Sequence, residues 1–337
     1  MNRSDSGVPA TRPTLAQVAA RAGVSLKTAS RALGGESYVS EKTLASVLAA
    51  AAELDYQRNA AASLLASGRL ADSIGLITGD FTNPFYSALA HAIEDEIRTR
   101  GMHLSVANSR ESAEQEQLVA HDLADRQTKA VITVSAMTDH SDYAQLQARG
   151  IPVVFVDRPA ENLAADSVVF DNREGGRSAA QHLIDAGHTR IAFIGDYAWL
   201  PTYRQRLAGM GDILDASGER WRDLLRTDAH DVASSRECAR DLLALDDPPT
   251  AIVAGNNRIL LGVMEETASM TPHERPAVIG FDEPEWARVL GVSVVTGDVE
   301  ALGRHAARLA VARLSDRTRA FESVVLPMRL IERRSTV

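Results

Sequence analysis

Two short helical stretches joined by a glycine turn constrain this chain more than any other feature. Residues 14–33 read Thr-Leu-Ala-Gln-Val-Ala-Ala-Arg-Ala-Gly-Val-Ser-Leu-Lys-Thr-Ala-Ser-Arg-Ala-Leu. Thr14 and Gln17 stand at the spacing of a capping box, in which each side chain satisfies the other's free backbone N–H. Leu15, Val18 and Ala19 follow at i, i+3, i+4, the period of a helix with one apolar face. Gly23 supplies a left-handed turn at no steric cost. Ser25 then caps a second helix in which Leu26, Lys27, Thr28, Ser30 and Arg31 are polar or reachable, while Ala29, Ala32 and Leu33 can face inward. A bare helix-Gly-helix pattern reads as an ordinary helical hairpin. With a polar second helix it can instead lie in a DNA major groove.

Charge supports the second reading. The whole chain is acidic, with a formal charge of -9, which argues against a nucleic-acid partner until its distribution is read. Residues 1–70 carry eight Lys/Arg against five Asp/Glu, and the remainder 28 against 40. A small basic head on an acidic body is the asymmetry expected when one end meets phosphate. The 337 residues suffice for two or three domains, and 45% hydrophobic with 24% charged residues is a globular composition. Cys238 is the single cysteine, so an intramolecular disulfide and a thiolate zinc cluster are both ruled out. No stretch reaches the apolar length of a membrane span, and residues 1–12 are polar, so a cytoplasmic location with no membrane partner is expected.

Ser40 and Glu41 begin a third helix, with Leu44, Val47, Leu48, Ala51 and Leu54 as its expected buried stripe and Tyr56 near its close. Asn59 to Ala66 is a capped, alanine-rich stretch of eight residues, too short to be a stable helix alone. It reads either as a linker or as a hinge helix that forms only when two copies pair on DNA. From Ser73 the pattern changes to short apolar runs, beginning at Ile74, Leu104, Ala130, Val153, Ser167, Ile191, Ala251 and Ala277, alternating with amphipathic stretches at 84–100, 112–127, 173–187, 202–217 and 258–269. That alternation predicts an α/β body of parallel sheets covered by helices, and its length predicts two lobes. Polar residues stand at or just beyond the strand ends: Asp80, Ser135, Asp157, Asp171-Asn172, Asp196, Asn256 and Asp282. Ligands of open parallel sheets sit beyond the carboxyl ends of the strands, so these residues are expected to line a polar cleft.

The chain resembles the lactose/galactose-repressor (LacI/GalR) family of bacterial transcription factors. The matching segments run in order from Thr14-Leu-Ala-Gln-Val-Ala through Ala22-Gly-Val-Ser, Thr28-Ala-Ser-Arg, Val39-Ser, Leu54-Asp-Tyr, Asn83-Pro-Phe, Asp157-Arg-Pro, Asp171-Asn, Gly187-His-Thr-Arg-Ile-Ala-Phe-Ile-Gly, Arg206-Leu-Ala-Gly and Gly280-Phe-Asp to Leu330-Ile-Glu-Arg. The resemblance implies a homodimeric repressor of a palindromic DNA operator: a flexible arm at 1–12, a helix-turn-helix DNA-binding domain at 13–57, a hinge helix and linker at 58–70, and a two-lobed effector-binding and dimerisation domain at 71–337, similar to periplasmic sugar-binding proteins. By the same resemblance Leu26, Lys27 and Arg31 meet base edges, Thr28, Ser30, Tyr38 and Ser40 hold phosphates, and Asn59 opens a hinge whose Leu65 wedges into a base step. Asp157, Arg206, Asn256 and Asp282 match effector positions. Phe85 is placed either to stack on a ligand ring or to pack its helix on the sheet, and His230 falls near an aromatic lid position.

Three departures bear on the effector. Arg58 replaces the usual proline before the hinge, Asn257 the usual aspartate after Asn256, and Ser293-Val-Val-Thr296 the usual proline and paired threonines. The implied effector is a sugar or sugar derivative, with a nucleoside or purine corepressor as the alternative. An enzyme is disfavoured, because the chain has no Gly-x-Ser-x-Gly elbow, no phosphate-binding Gly-rich loop and no His pair at metal spacing, and no cofactor or metal is expected. A transporter-feeding solute-binding protein would not carry the DNA-reading head.

Overall fold

The computed structural model describes residues 13–34, 38–56, 72–217, 221–271 and 273–336. They belong to two compact units that divide between Leu70 and Ala71. In the first, α1 (Leu15–Ala22), α2 (Leu26–Leu33) and α3 (Glu41–Glu53) pack around Val18, Ala19, Ala29, Ala32, Val47, Ala50 and Ala51. The capping box is present: the Thr14 N–H donates to Gln17 Oε1 at 2.7 Å and the Gln17 N–H to Thr14 Oγ1 at 3.4 Å. Gly23 turns the chain with φ 67° and ψ 31°. A side chain there would meet nothing within 4 Å, so conformation rather than space demands glycine. Leu48 departs from the expected stripe, being half exposed while Ala50 is buried. The buried residues of α3 centre their stripe about 100° of helical rotation from Leu48, which leaves it on the flank.

The second unit begins with β1 (Ser73–Thr78), α4 (Pro84–Arg98), β2 (His103–Asn108), α5 (Ala113–Asp125), β3 (Ala130–Thr133), α6 (Ala144–Ala148), β4 (Val153–Val156) and β5 (Asp166–Phe170). The chain then crosses into a second lobe: α7 (Asn172–Asp185), β6 (Ile191–Ile194), α8 (Pro201–Ser217), β7 (Leu225–Arg226), α9 (Val232–Leu243), β8 (Ala251–Ala254), α10 (Asn257–Thr267), β9 (Ala277–Phe281), α11 (Glu285–Leu290) and β10 (Ser293–Gly297). It returns through α12 (Val299–Ser315) and β11 (Ser323–Leu326) to the first lobe, and ends its sheets with β12 (Met328–Ile331) in the second. The strand orders are β11-β5-β4-β3-β1-β2 and β12-β10-β9-β8-β6-β7. The lobes are thus repeats in architecture without being close repeats in sequence.

Among the described residues the pairings are parallel, as expected, except that β12 lies antiparallel on β10. Only Pro327 separates β11 from β12. A parallel neighbour in one sheet needs a long crossover, whereas this segment passes straight from one lobe to the other. The carboxyl ends of the two sheets face one another, so a strand leaving one lobe must enter the other against its strands. The chain crosses between lobes at 170–172, 297–299 and 326–328. At the middle crossing a Cβ on Gly297 would clash with the Phe170 ring, so only glycine lets the strands approach. Core residues such as Leu76, Leu89, Ile132 and Leu302 fill one face of the first sheet, and Phe193, Met210, Val253 and Phe281 one face of the second.

Candidate functional site

On α2 the sequence-named residues divide by exposure. Leu26, Lys27, Ser30 and Arg31 are exposed along one face, opposite buried Ala29 and Ala32, because residues four apart share a helix face. Thr28 is half-buried, and its hydroxyl lies 2.8 Å from Ser25 Oγ while its N–H is capped by that same oxygen. Ser40 caps α3 by accepting from the Thr43 N–H at 3.2 Å, and Tyr38 is 92% exposed. Asn59 and Leu65 lie outside the described residues.

In the two-lobed unit Phe85, Asp157, Arg206, Asn256 and Asp282 come together on one narrow cleft with about 40 Å³ of free volume. Asp157 follows β4 and Asp282 follows β9, equivalent places in the two lobes. Their N–H groups donate to Val168 O and Val295 O at 2.9 and 3.0 Å. Both hold the left-handed conformation, with φ 68° and 67°. Such backbone is uncommon outside glycine, and here it aims two carboxylates across the cleft. Burial, opposed by Arg158 and Arg206, pushes the Asp157 carboxyl up to about 6, and burial also raises that of Asp282.

Arg206 on α8 is buried and held from three sides. Its Nε donates to Asn172 Oδ1 at 2.7 Å and its Nη1 to Gly255 O at 2.6 Å, while Nη2 stands 4.0 Å from Asp282. Its guanidinium also lies 4.4 Å over the Phe281 ring. Asn256 caps α10 through the Ile259 N–H and donates to Asp196 at 2.7 Å. Asp196 in turn accepts from His230 at 2.8 Å, and the His230 ring stacks on Tyr197 at 4.4 Å. Burial alone would lower the imidazole, but the hydrogen bond and charge of Asp196 hold it above its ordinary value. Phe85 has both expected placements: it lines the cleft and packs edge-on against Tyr86 at 5.4 Å over the first core.

Several cleft residues escaped the sequence reading. Arg158 forks onto Glu111 at 2.7 and 2.8 Å, donates to Ser135 O at 2.7 Å, and lies 5.6 Å from the Trp199 ring of the other lobe. Its place in the Asp157-Arg-Pro triplet was the available signal. Glu111, 47 residues away in sequence, had none. Other polar strand ends serve their own loops. Asp171 caps α7 through the Glu174 N–H, and Asp80 accepts from the Thr82 N–H. His182 and His188 line a separate pocket of about 990 Å³ at the amino ends of β8–β10, where His182 bonds Thr336 and His188 bonds Thr250.

Among the described residues, one side-chain hydrogen bond joins the lobes away from the chain crossings. Asn257 Nδ2 donates to Asn83 Oδ1 at 2.8 Å, and that oxygen also accepts from the Phe85 N–H at 2.9 Å. The start of α4 therefore fixes Asn83 as an acceptor. Asn257→Asp would set oxygen against oxygen and is expected to cost about 1–3 kcal/mol of lobe contact. Hydrogen exchange at residues 83–86 should rise in that variant and stay near the parent rate in Asn83→Asp, which keeps the acceptor. Equal exchange in parent and Asn257→Asp would show that this bond does not hold the lobes.

This geometry has known counterparts. A family model described as bacterial regulatory proteins, lacI family, matches residues 14–59, and one described as periplasmic binding proteins and sugar binding domain of LacI family matches residues 71–271. The ribose operon repressor of Bacillus subtilis (strain 168) is 30% identical over 327 residues, covering 96% of this chain and 98% of its own. The chain belongs to the LacI family of bacterial regulatory proteins. Among solved structures, the lac repressor dimer bound to operator and the anti-inducer ONPF superposes with a TM-score of 0.82 at 25% identity, covering 97% of this chain and 100% of that one. A complex of the transcriptional regulator CelR with cellobiose gives 0.70 at 28%, covering 96% and 100%. This LacI-family chain is thus a DNA-binding regulator and not an enzyme.

Proposed function

We propose that this LacI-family regulator is a repressor that binds a palindromic operator as a homodimer in the cytoplasm and senses a sugar or sugar derivative between its two lobes. The carrying observation is the convergence of Asp157, Asp282 and Arg206 from both lobes on one cleft. Carboxylates and a guanidinium so placed hold vicinal hydroxyls by charge-assisted hydrogen bonds. Ribose and cellobiose appear in the names of a similar repressor and a similar regulator complex, which favours a sugar. Asn256, fastened to Asp196, and Phe85 complete the ligand wall in this reading.

On DNA, Leu26, Lys27 and Arg31 are assigned to base edges and Thr28, Ser30, Tyr38 and Ser40 to phosphates, with Asn59 and Leu65 in the hinge. Lys27→Ala and Arg31→Ala are each expected to weaken binding to a selected operator by about 1–3 kcal/mol, with much smaller losses on random DNA. Fluorescence anisotropy on both DNAs at one salt concentration measures this. Equal losses on the two would reduce both residues to phosphate contacts. A thermal-shift screen of monosaccharides, disaccharides and nucleosides tests the sensor, since hits confined to nucleosides would overturn the sugar reading.

A further inference from the structure

We infer that the cleft accepts an effector that offers O–H or N–H donors to Asp157 and Asp282 together and carries no anionic group: an uncharged polyol or one bearing an amine. The inference rests on the reading that this cleft is the effector site. Its basis is an inventory of the charges that face the cleft. Asp157 and Arg158 of the first lobe and Asp196, Arg206 and Asp282 of the second line it, with Glu111 and His230 behind them as partners of Arg158 and Asp196. The lining thus carries three carboxylates against two guanidiniums, one of them already neutralised by Glu111.

Most donors of the cations are already engaged. Arg158 gives both Nη groups to Glu111 and a further bond to Ser135 O, and it is 4% exposed. Arg206 spends Nε and Nη1 on Asn172 and Gly255. His230 and Asn256 both serve Asp196, which also accepts the Tyr197 N–H at 2.7 Å. The acceptors, by contrast, are left over. Asp157 is 8% exposed, and among the described residues no donor reaches its carboxylate; Arg158 Nε is 4.0 Å away and itself buried without a partner. Among the described residues the Asp282 carboxylate has the Asn257 backbone N–H and, at 4.0 Å, Arg206 Nη2.

Carboxylates short of donors gain most from a ligand that supplies them. An anionic group would instead enter a lining in which carboxylates already outnumber guanidiniums, and would compete with Asp282 for Arg206 Nη2. Hydroxyls reaching one carboxylate from each lobe would also bridge the lobes, which links ligand chemistry to closure of the cleft.

The test uses the full chain and matched probes: D-glucose, D-glucosamine, D-glucuronate and D-glucose 6-phosphate, with D-ribose, D-ribose 5-phosphate and adenosine, by thermal shift and calorimetry. Uncharged or amine-bearing members are expected to bind, and anionic counterparts to bind roughly tenfold or more weakly. An anionic sugar that binds as tightly as its neutral counterpart overturns the inference and leaves the sugar reading standing. Binding by adenosine alone overturns the sugar reading and leaves the charge rule standing. Asp157→Asn should narrow the gap between neutral and phosphorylated sugar, and an unchanged gap would remove the carboxylates as its cause. Inorganic phosphate at matched ionic strength should leave the parent melting temperature unmoved. A saturable rise that disappears in folded Arg206→Gln protein overturns the inference independently of any sugar.

Discussion

Arg206→Ala is expected to destabilise the two-lobed unit by about 3–5 kcal/mol and to abolish its response to any cleft ligand, because it breaks a buried charged cluster from one side. The side chain is 5% exposed, so solvent cannot replace what is removed. Asn172 Oδ1 and Gly255 O would each lose a donor, and the Asp282 carboxylate its nearest cation. The Phe281 ring would lose the guanidinium packed over it. Arg206→Lys keeps the charge but not the fork, and should recover only part of the loss. Urea unfolding of both variants measures this directly. The three-helix unit has its own core and should unfold as in the parent. A loss below 1 kcal/mol would show that the cluster is not a structural unit of the second lobe.

Asp157→Asn should act in the opposite direction, stabilising the free protein above pH 7 by up to roughly 3 kcal/mol, the energy corresponding to a carboxyl at about 6 rather than 3.8. The sign follows from proton binding. The folded state holds a proton on Asp157 that the unfolded chain releases between about pH 6 and 4, so the parent gains stability as pH falls through that window and then levels off. At high pH the folded state must carry a buried charge that no donor among the described residues reaches. Asp282 and His230 are also raised and share this sign, whereas His140 and His188, lowered chiefly by burial, oppose it. The difference between parent and Asp157→Asn across pH 4–8 isolates the one group. A variant less stable than the parent at pH 8 would mean that the charge is compensated in place. Together with the expected loss of effector binding, this is the usual signature of a site whose strained, charged residues are retained for function.

Local physics made much of this molecule legible. The Thr14–Gln17 box, the Gly23 turn and the alternation of apolar residues with exposed Lys27 and Arg31 depend on neighbours within one or two turns, and the sequence alone determined them. The same holds for most of the strands and helices between 73 and 281, whose boundaries fall within about three residues of those expected from periodicity. Pieces beyond that were harder to see. β11 is half exposed, β12 runs antiparallel at an edge, and β10 was readable only as a departure from a family pattern. Their pairing partners, at 166–170 and 277–297, are supplied from elsewhere in the chain.

The sequence also placed polar residues at strand ends, and for Asp157, Asp196, Asn256 and Asp282 the lobes bring those ends to one cleft, which Arg206 joins from α8. It could not say which of them stay unsatisfied. Asp171 and Asp282 are alike as letters, yet one caps the helix that follows it and the other faces Arg206 across a buried gap. Glu111 neutralises Arg158 only because the loop after β2 folds beside the end of β4, and Asn257 meets Asn83 only because the lobes face one another. Capping, turning and amphipathicity are decided over a few residues, so the sequence determined the head, the element order and the candidate ligand residues. Burial, charge pairing and the donors left missing are sums over groups distant in the chain, and the tertiary structure alone decided those.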